Sequence, residues 1–309
     1  MAGYLESLTG RLAQGAASLS SGLRERHRRF VLAARQGDGG FAGRDGGSDL
    51  YYTGFALRSL AVLGALHGDE ARQAGAFLAA RLTGRESIID LLSLLYGGTL
   101  LRMAADCDIF GAAPPQWPHA VAGALEQLRR GDGGYAKGPE GQASSTYHTF
   151  LVLVCLELIG QPVPRREQLV GFLLSQRCPD GGFREIRASQ RAGTNPTAAA
   201  VAALRILNAI DASVRESTIE FLSDMQNEEG GMRANTRIPI ADLLSTFTGL
   251  VTLTDLDARR AIDCDSLARY VRSLESEDGG FHGAAWDPAR DVEYTFYGVG
   301  CLSLLEQSG

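Results

Sequence analysis

A short turn returns along this chain at a nearly fixed interval, and that interval constrains the fold more than any other feature. It reads Asp38-Gly39-Gly40-Phe41, Asp132-Gly133-Gly134-Tyr135, Asp180-Gly181-Gly182-Phe183, Glu229-Gly230-Gly231-Met232 and Asp278-Gly279-Gly280-Phe281. Successive copies start 94, 48, 49 and 49 residues apart. The first gap is about twice the others, which predicts a degenerate copy at Thr83-Gly84-Arg85. A period of this size signals a repeat architecture, in which each unit buries its apolar face only against its neighbours. The paired glycines supply the positive φ that ends a helix.

Between the turns, helical spacing alternates two kinds of segment. Residues 1–35 read as helix, followed by 50–63, 69–82 and 90–103. Pro114, Pro115 and Pro118 break a connection from Asp106 onward, and helices resume at 121–128 and 147–158. The last three copies give 167–175 with 197–207, 214–225 with 243–253, and 266–274 with 292–305. One helix of each pair has mixed polarity and the other is almost wholly apolar. A helix that is apolar all round must be covered on every side. Closure into a ring achieves this, so the expected fold is all-α: a single (α/α)6 toroid over residues 1–309, with six inner and six outer helices.

Bulk properties narrow the partners. The 309-residue chain has a net charge of −6, which argues against a nucleic-acid partner. The basic cluster from Arg24 to Arg29 reads as a solvated helix face. Five cysteines without a CxxC pair argue against a disulfide framework and for a reducing, cytoplasmic setting. The first residues lack a signal-peptide core, and no apolar run of about 18 residues predicts a membrane span.

Aligning the apolar helices places Asp49, Asp90, Ser145, Thr194, Asp242 and Asp291 at their starts. Four residues later stand Thr53, Leu94, Thr149, Ala198, Thr246 and Thr295. All six starting residues are preferred N-caps, and capping accounts for them together. The same geometry would gather helix N-termini, which favour anions, at one end of the ring. Arg44, Arg187, Arg191, Arg233, Arg237 and Arg290 lie on the loops that would frame that end.

The run GGFAGR followed by D-x-x-Y-T, returning about every 48 residues, resembles the protein prenyltransferase β-subunits and the wider prenyltransferase and squalene-cyclase repeat superfamily. The resemblance spans residues 25–309 and implies a toroid that handles isoprenoids, with a helical protein subunit as a partner. It also implies a zinc site of an Asp, a Cys two residues later and a distant His, which would hold a substrate thiol as thiolate. Asp242 matches the Asp, but Leu244 stands at the Cys position and Tyr294 at the His position. His148, Cys155 and Cys301 do not stand at ligand positions, and His148 reads as a satisfied polar group of an inner helix. Zinc-dependent cysteine prenylation is therefore not expected, and Mg²⁺ is the remaining metal candidate. The cyclase branch is marked by a D-x-D-D acid, whereas Asp106-Cys107-Asp108 and Asp263-Cys264-Asp265 lack the last Asp.

What remains is a lining. Tyr51, Tyr52, Phe55, Tyr96, Tyr147, Phe150, Phe247, Tyr294, Phe296 and Tyr297 fall near the starts of apolar helices. They either form an aromatic funnel for a prenyl chain or pack the centre shut. Ala198, Ala199, Ala200 and Gly249 would leave space beside them. The resulting expectation is a prenyltransferase-like isoprenoid-binding protein with a degenerate metal site. Asp242, Glu293 and Tyr294 are its catalytic candidates. Tyr51, Tyr52, Phe55, Tyr147, His148, Phe247 and Tyr297 would contact the chain, and Arg187, Arg191, Arg233 and Arg237 the diphosphate. The alternatives are a non-catalytic toroid that binds a lipid or a protein, and a single-domain relative of the terpene cyclases.

Overall fold

The computed structural model describes residues 2–82 and 86–307, so the expected degenerate turn at 83–85 lies outside the described residues. Helices dominate: α1 (Tyr4–Ser18), α2 (Ser21–Ala33), α3 (Leu50–Val62), α4 (Gly68–Ala79), α5 (Ile88–Ala105), α6 (Trp117–Glu126) and α7 (Thr146–Leu158). They continue as α8 (Arg166–Ser175), α9 (Thr194–Ile206), α10 (Ala212–Met225), α11 (Leu243–Asp255), α12 (Cys264–Ser273) and α13 (Val292–Glu306). Two antiparallel ribbons, β1 (Phe41–Ala42) with β2 (Ser48–Asp49) and β3 (Phe281–His282) with β4 (Arg290–Asp291), lead into α3 and α13.

The chain divides into two compact units, one of residues 1–115 with 271–309 and one of residues 116–270. In the first, the largely buried helices α5, α3 and α13 pack side by side, with α2 and α4 against them. In the second, α7, α9 and α11 form the corresponding buried row, with α8 and α10 packed on it.

The expected helix over 1–35 is two helices. Ser20 interrupts it, because its Oγ accepts the Leu23 N–H and caps α2. Pro118 does not break α6 but stands in its first turn, where its missing N–H costs nothing. α5 is long and apolar enough, by length and composition, to cross a membrane, which the sequence reading did not expect. It is a core helix, 61% buried, packed on α3 and α4.

The recurring turn does the same work wherever it is described. The residue that follows its glycine pair (Phe41, Tyr135, Phe183, Met232 or Phe281) is fully buried. In four copies that residue's N–H donates to a threonine one turn into the following apolar helix. The pairs are Phe41 to Thr53 at 2.9 Å, Tyr135 to Thr149 at 3.0 Å, Phe183 to Thr197 at 2.8 Å and Met232 to Thr246 at 2.9 Å. Each threonine satisfies a backbone donor that burial would otherwise strand. Thr149→Val keeps the shape and removes the acceptor, so it is expected to cost about 1–3 kcal/mol in denaturant unfolding.

The two ends of the chain meet in the first unit through the same device. Gly279, at φ 96°, lies so close to α2 that a Cβ there would stand 2.7 Å from the Arg26 carbonyl oxygen. His27 is fully buried and stacks on Phe281 at 4.8 Å. Its Nδ1 accepts the Gly280 N–H at 3.1 Å, which leaves the proton on Nε2 to face Glu275 at 3.1 Å. Arg26 also pairs with Glu275. The basic cluster is thus partly a closure contact and not simply a solvated face.

Candidate functional site

Four of the six expected caps hold: Asp49, Ser145, Asp242 and Asp291 each accept a first-turn N–H with their side chains. Two are corrected. α5 is capped by Ser87, with Asp90 in its first turn donating its N–H to Ser87 Oγ at 3.1 Å. α9 starts one residue earlier than aligned, at Gly193, so Thr194 is its first helical residue and Thr197 takes the threonine position. Gly193 has no side chain to offer, and α9 lacks a side-chain cap.

In the first unit, α3 and α13 bring Tyr51, Phe55, Glu293, Phe296 and Tyr297 together. Tyr51 and Phe55 meet edge to face at 4.9 Å, and Phe55 meets Tyr297 at 5.4 Å. The hydroxyls of Tyr51 and Tyr297 both donate to Glu293 Oε1, at 2.7 and 3.0 Å. Among the described residues nothing donates to Oε2, so a proton on this carboxyl belongs there. Burial raises the Glu293 pKa above the ordinary glutamate value, and the nearby charge of Asp291 pushes the same way. The two tyrosine hydrogen bonds and the charge of Arg58 oppose the shift without cancelling it.

Tyr52 and Tyr294 serve the loops above this cluster. Their rings fill the space beside Gly43 and Gly283, where a Cβ would stand 2.1 and 2.5 Å away. Arg44 lies over the Tyr294 ring at 5.0 Å and is neutralised by Asp287 and Asp291, each at 2.9 Å. Arg44 is therefore not free for an anion, contrary to the sequence reading. Arg290 is likewise engaged, by Ser276 Oγ and by the Gly279 carbonyl at 2.8 Å.

In the second unit, a cavity of about 590 Å³ opens at the uncapped start of α9. Arg191, Arg237, Asn195, Asn235, Gln190 and Glu185 are among the residues that line it. Among the described residues neither Arg191 nor Arg237 has a side-chain hydrogen bond or ion pair. Arg187 is exposed and does not line the cavity, and Arg233 turns away to donate to the Asp224 carbonyl at 2.6 Å. Ser145 Oγ donates to Glu185 and lies 2.8 Å from His148 Nδ1. His148 Nε2 is buried without a partner, so the histidine is only half satisfied, and burial lowers its pKa. Tyr147 meets the His148 ring edge to face at 5.5 Å and is partly exposed, whereas Phe247 is buried. Gly249 leaves no space: a Cβ there would stand 2.1 Å from Met232 Sδ, so the glycine seats the turn residue.

The donor set does not fit zinc. Asp242 is occupied as a cap, accepting the Ser245 N–H at 2.7 Å and the Ser245 hydroxyl at 2.8 Å, and Leu244 has no donor atom. Burial raises the Asp242 pKa, with the Ser245 bonds acting against it. Among the described residues no group of three or more His, Cys, Asp or Glu side chains could hold a metal.

The model of the prenyltransferase alpha-alpha toroid domain matches residues 11–84, 123–166 and 161–309. The chain belongs to this family. The toroid's turns, threonines and paired helices are those from which the resemblance was read. No curated protein matches the chain. Among solved structures, Candida albicans protein geranylgeranyltransferase-I complexed with GGPP is similar at a TM-score of 0.74 and 15% identity, over 91% of each chain. A variant of the type II terpene cyclase MstE from Scytonema, in complex with geranylgeranyl dihydroxybenzoate, is similar at 0.62 and 14%, over 98% of each chain. A protein from Salmonella enterica described as a possible GH105 member is similar at 0.58 and 15%, over 99% of this chain and 94% of that one. Such likenesses establish the toroid fold, which carries several chemistries.

Sequence reasoning missed Arg58. The signal was present, since Arg58 is the only charged residue within the apolar run Leu50–Val62.

Proposed function

We propose that this toroid protein binds an isoprenoid diphosphate and processes its chain. The observation that carries this is the cavity at the start of α9, where Arg191 and Arg237 stand beside Asn195, whose N–H is the one first-turn donor not taken by a protein carbonyl, and where, among the described residues, neither guanidinium is ion-paired although Glu185 also lines the cavity. Arginine forks and helix N-termini are the usual means of holding a diphosphate. Both GGPP and geranylgeranyl dihydroxybenzoate are bound by structures of the same fold, which supports a prenyl chain on the diphosphate. Calorimetric titration tests the reading, with geranylgeranyl diphosphate expected to bind at least tenfold more tightly than geranylgeraniol or inorganic diphosphate alone. Repeating the titration without Mg²⁺ separates direct arginine recognition from bridging by a metal. Equal, weak binding of all three would favour the protein-interaction scaffold.

A second reading, proton-initiated chemistry on the chain, is favoured by Glu293. Burial raises its pKa and so favours the carboxylic acid over the carboxylate in an aromatic environment, with Oε2 unengaged. The acid would donate the Oε2 proton to a trisubstituted alkene, giving a tertiary cation that neighbouring rings stabilise; water adds to the cation to give an alcohol, and the proton it releases returns to the Glu293 carboxylate. Asp242 then serves as the cap of α11 and Tyr294 as the ring beside Gly283, and neither takes part in proton transfer. In D2O, wild-type protein is expected to give a product with deuterium at the protonated carbon, and Glu293→Gln none. The active form is the protonated one, so activity is full at low pH and falls as pH rises through the raised pKa. The same sign applies to stability: wild type loses stability relative to Glu293→Gln as pH rises through that window. A rate that instead increases with pH would exclude Glu293 as the acid.

A further inference from the structure

Arg58 is a cation that the first unit holds without a counter-ion. It lies on α3 one turn beyond Phe55 and two beyond Tyr51, so the three share a helix face. Thr53, which faces the outer turn through the Phe41 N–H, is about 140° away around the helix. The guanidinium is therefore directed away from the outer layer. It lies over the Phe55 ring at 4.6 Å and the Tyr96 ring at 5.1 Å, and its Nε is buried without a partner. Among the described residues no carboxylate approaches within ion-pair distance. The carboxyl whose charge it feels, Glu293, is the one that burial drives toward its neutral form.

Below Arg58 the cluster is closed by α1. Tyr96 donates its hydroxyl to the Leu5 carbonyl at 2.9 Å and bonds Thr9 Oγ1. α1 is fixed against α13, where a Cβ on Gly15 would overlap the Ser303 carbonyl. The guanidinium thus lies over two rings of the aromatic cluster, with its terminal N–H groups unengaged. An arginine so stacked is pre-organised for a planar anion, and a carboxylate matches its fork.

We propose that Arg58 anchors a carboxylate, so that the ligand of the first unit is an isoprenoid chain bearing a carboxylic acid. The proposal rests on the isoprenoid reading above and adds the acid group. It supplies an acceptor for a guanidinium whose Nε is buried without a partner and whose terminal N–H groups are unengaged.

The test compares geranylgeranoic acid, its methyl ester, geranylgeraniol and palmitate by calorimetry on the full chain. Wild type is expected to bind the isoprenoid acid at least tenfold more tightly than the ester or the alcohol, and palmitate more weakly than the isoprenoid acid. Arg58→Met should erase the preference for the acid while leaving ester and alcohol affinity within about twofold, and Arg58→Lys should retain part of it. Equal affinity of wild type for acid and ester overturns the proposal without any variant, so failure of Arg58→Met to fold does not protect it. Equal loss of all ligands in a folded Arg58→Met assigns Arg58 to packing and also overturns it. Palmitate binding as tightly as the isoprenoid acid keeps the anchor but overturns the isoprenoid assignment. If the alcohol, ester and acid all fail to bind, the isoprenoid reading falls together with the proposal, whereas ester and alcohol binding with no gain for the acid removes the proposal alone.

Discussion

Replacing Arg191 and Arg237 together by alanine is expected to weaken binding of geranylgeranyl diphosphate about a hundredfold, while geranylgeraniol binding stays within about twofold. Each guanidinium lines the cavity at the start of α9 with no other partner, so each can give a charge-assisted contact worth roughly 1.5–3 kcal/mol. A hundredfold loss is about 2.7 kcal/mol, less than two full contacts, because the Asn195 N–H at the start of α9 remains. Arg187→Ala and Arg233→Ala serve as controls of the same charge. Arg187 does not line the cavity, and Arg233 is committed to the Asp224 carbonyl. The four substitutions are read against one another at a single salt concentration, since surface charge contributes to any anion affinity. Equal losses from all four would mean that net charge, and not the cavity, holds the diphosphate.

The second large effect concerns the scaffold. Gly230→Ala is expected to destabilise the protein by about 3 kcal/mol, read as a fall of several degrees in the thermal midpoint. Two costs combine. Gly230 has φ 93°, a conformation that L side chains rarely adopt. A Cβ there would also stand 2.4 Å from the carbonyl oxygen of Ser266, which is backbone of α12 and cannot swing aside. The chain would have to open the contact between this turn and α12, next to the site where Met232 and Thr246 join the turn to α11. Gly37→Ala is the matched control, because its Cβ would meet nothing within 4 Å and its backbone is not left-handed. A near-neutral Gly230→Ala would show that the turn yields, and the regular spacing would then lack its physical reason.

Much of the fold could be read from the sequence because the turn couples three signals in one place. A glycine pair, a buried large residue and a threonine four residues into the next helix all serve the same contact, so each copy was recognisable even with Met232 in place of an aromatic. Where the coupling is incomplete the reading slipped. α5 follows a degenerate turn, and Ser87 took the cap that Asp90 was expected to supply. α9 has glycine at its cap, so alignment on a polar residue moved it by one position and hid Thr197.

The site was less legible, since sequence spacing places a residue on a loop but does not say where its side chain goes. Arg44 and Arg191 look equivalent in sequence, yet Arg44 is held by Asp287 and Asp291 while Arg191 has no such neighbour. Glu293 was legible as a candidate from its position in the first turn of α13. Its raised pKa comes from burial, and Tyr51, the hydrogen-bond partner that tempers it, is 242 residues away in sequence, so only folding brings the two near. Arg58 could have been singled out as a charge interrupting an apolar helix. Its two ring contacts, to Phe55 and Tyr96, are what turn that anomaly into a site.

The most direct test of the central claim is a crystal structure of the protein with geranylgeranyl diphosphate. The account predicts density for the diphosphate between Arg191, Arg237 and the first residues of α9. Diphosphate density at any other group of residues, with that cavity empty at full ligand occupancy, would contradict it.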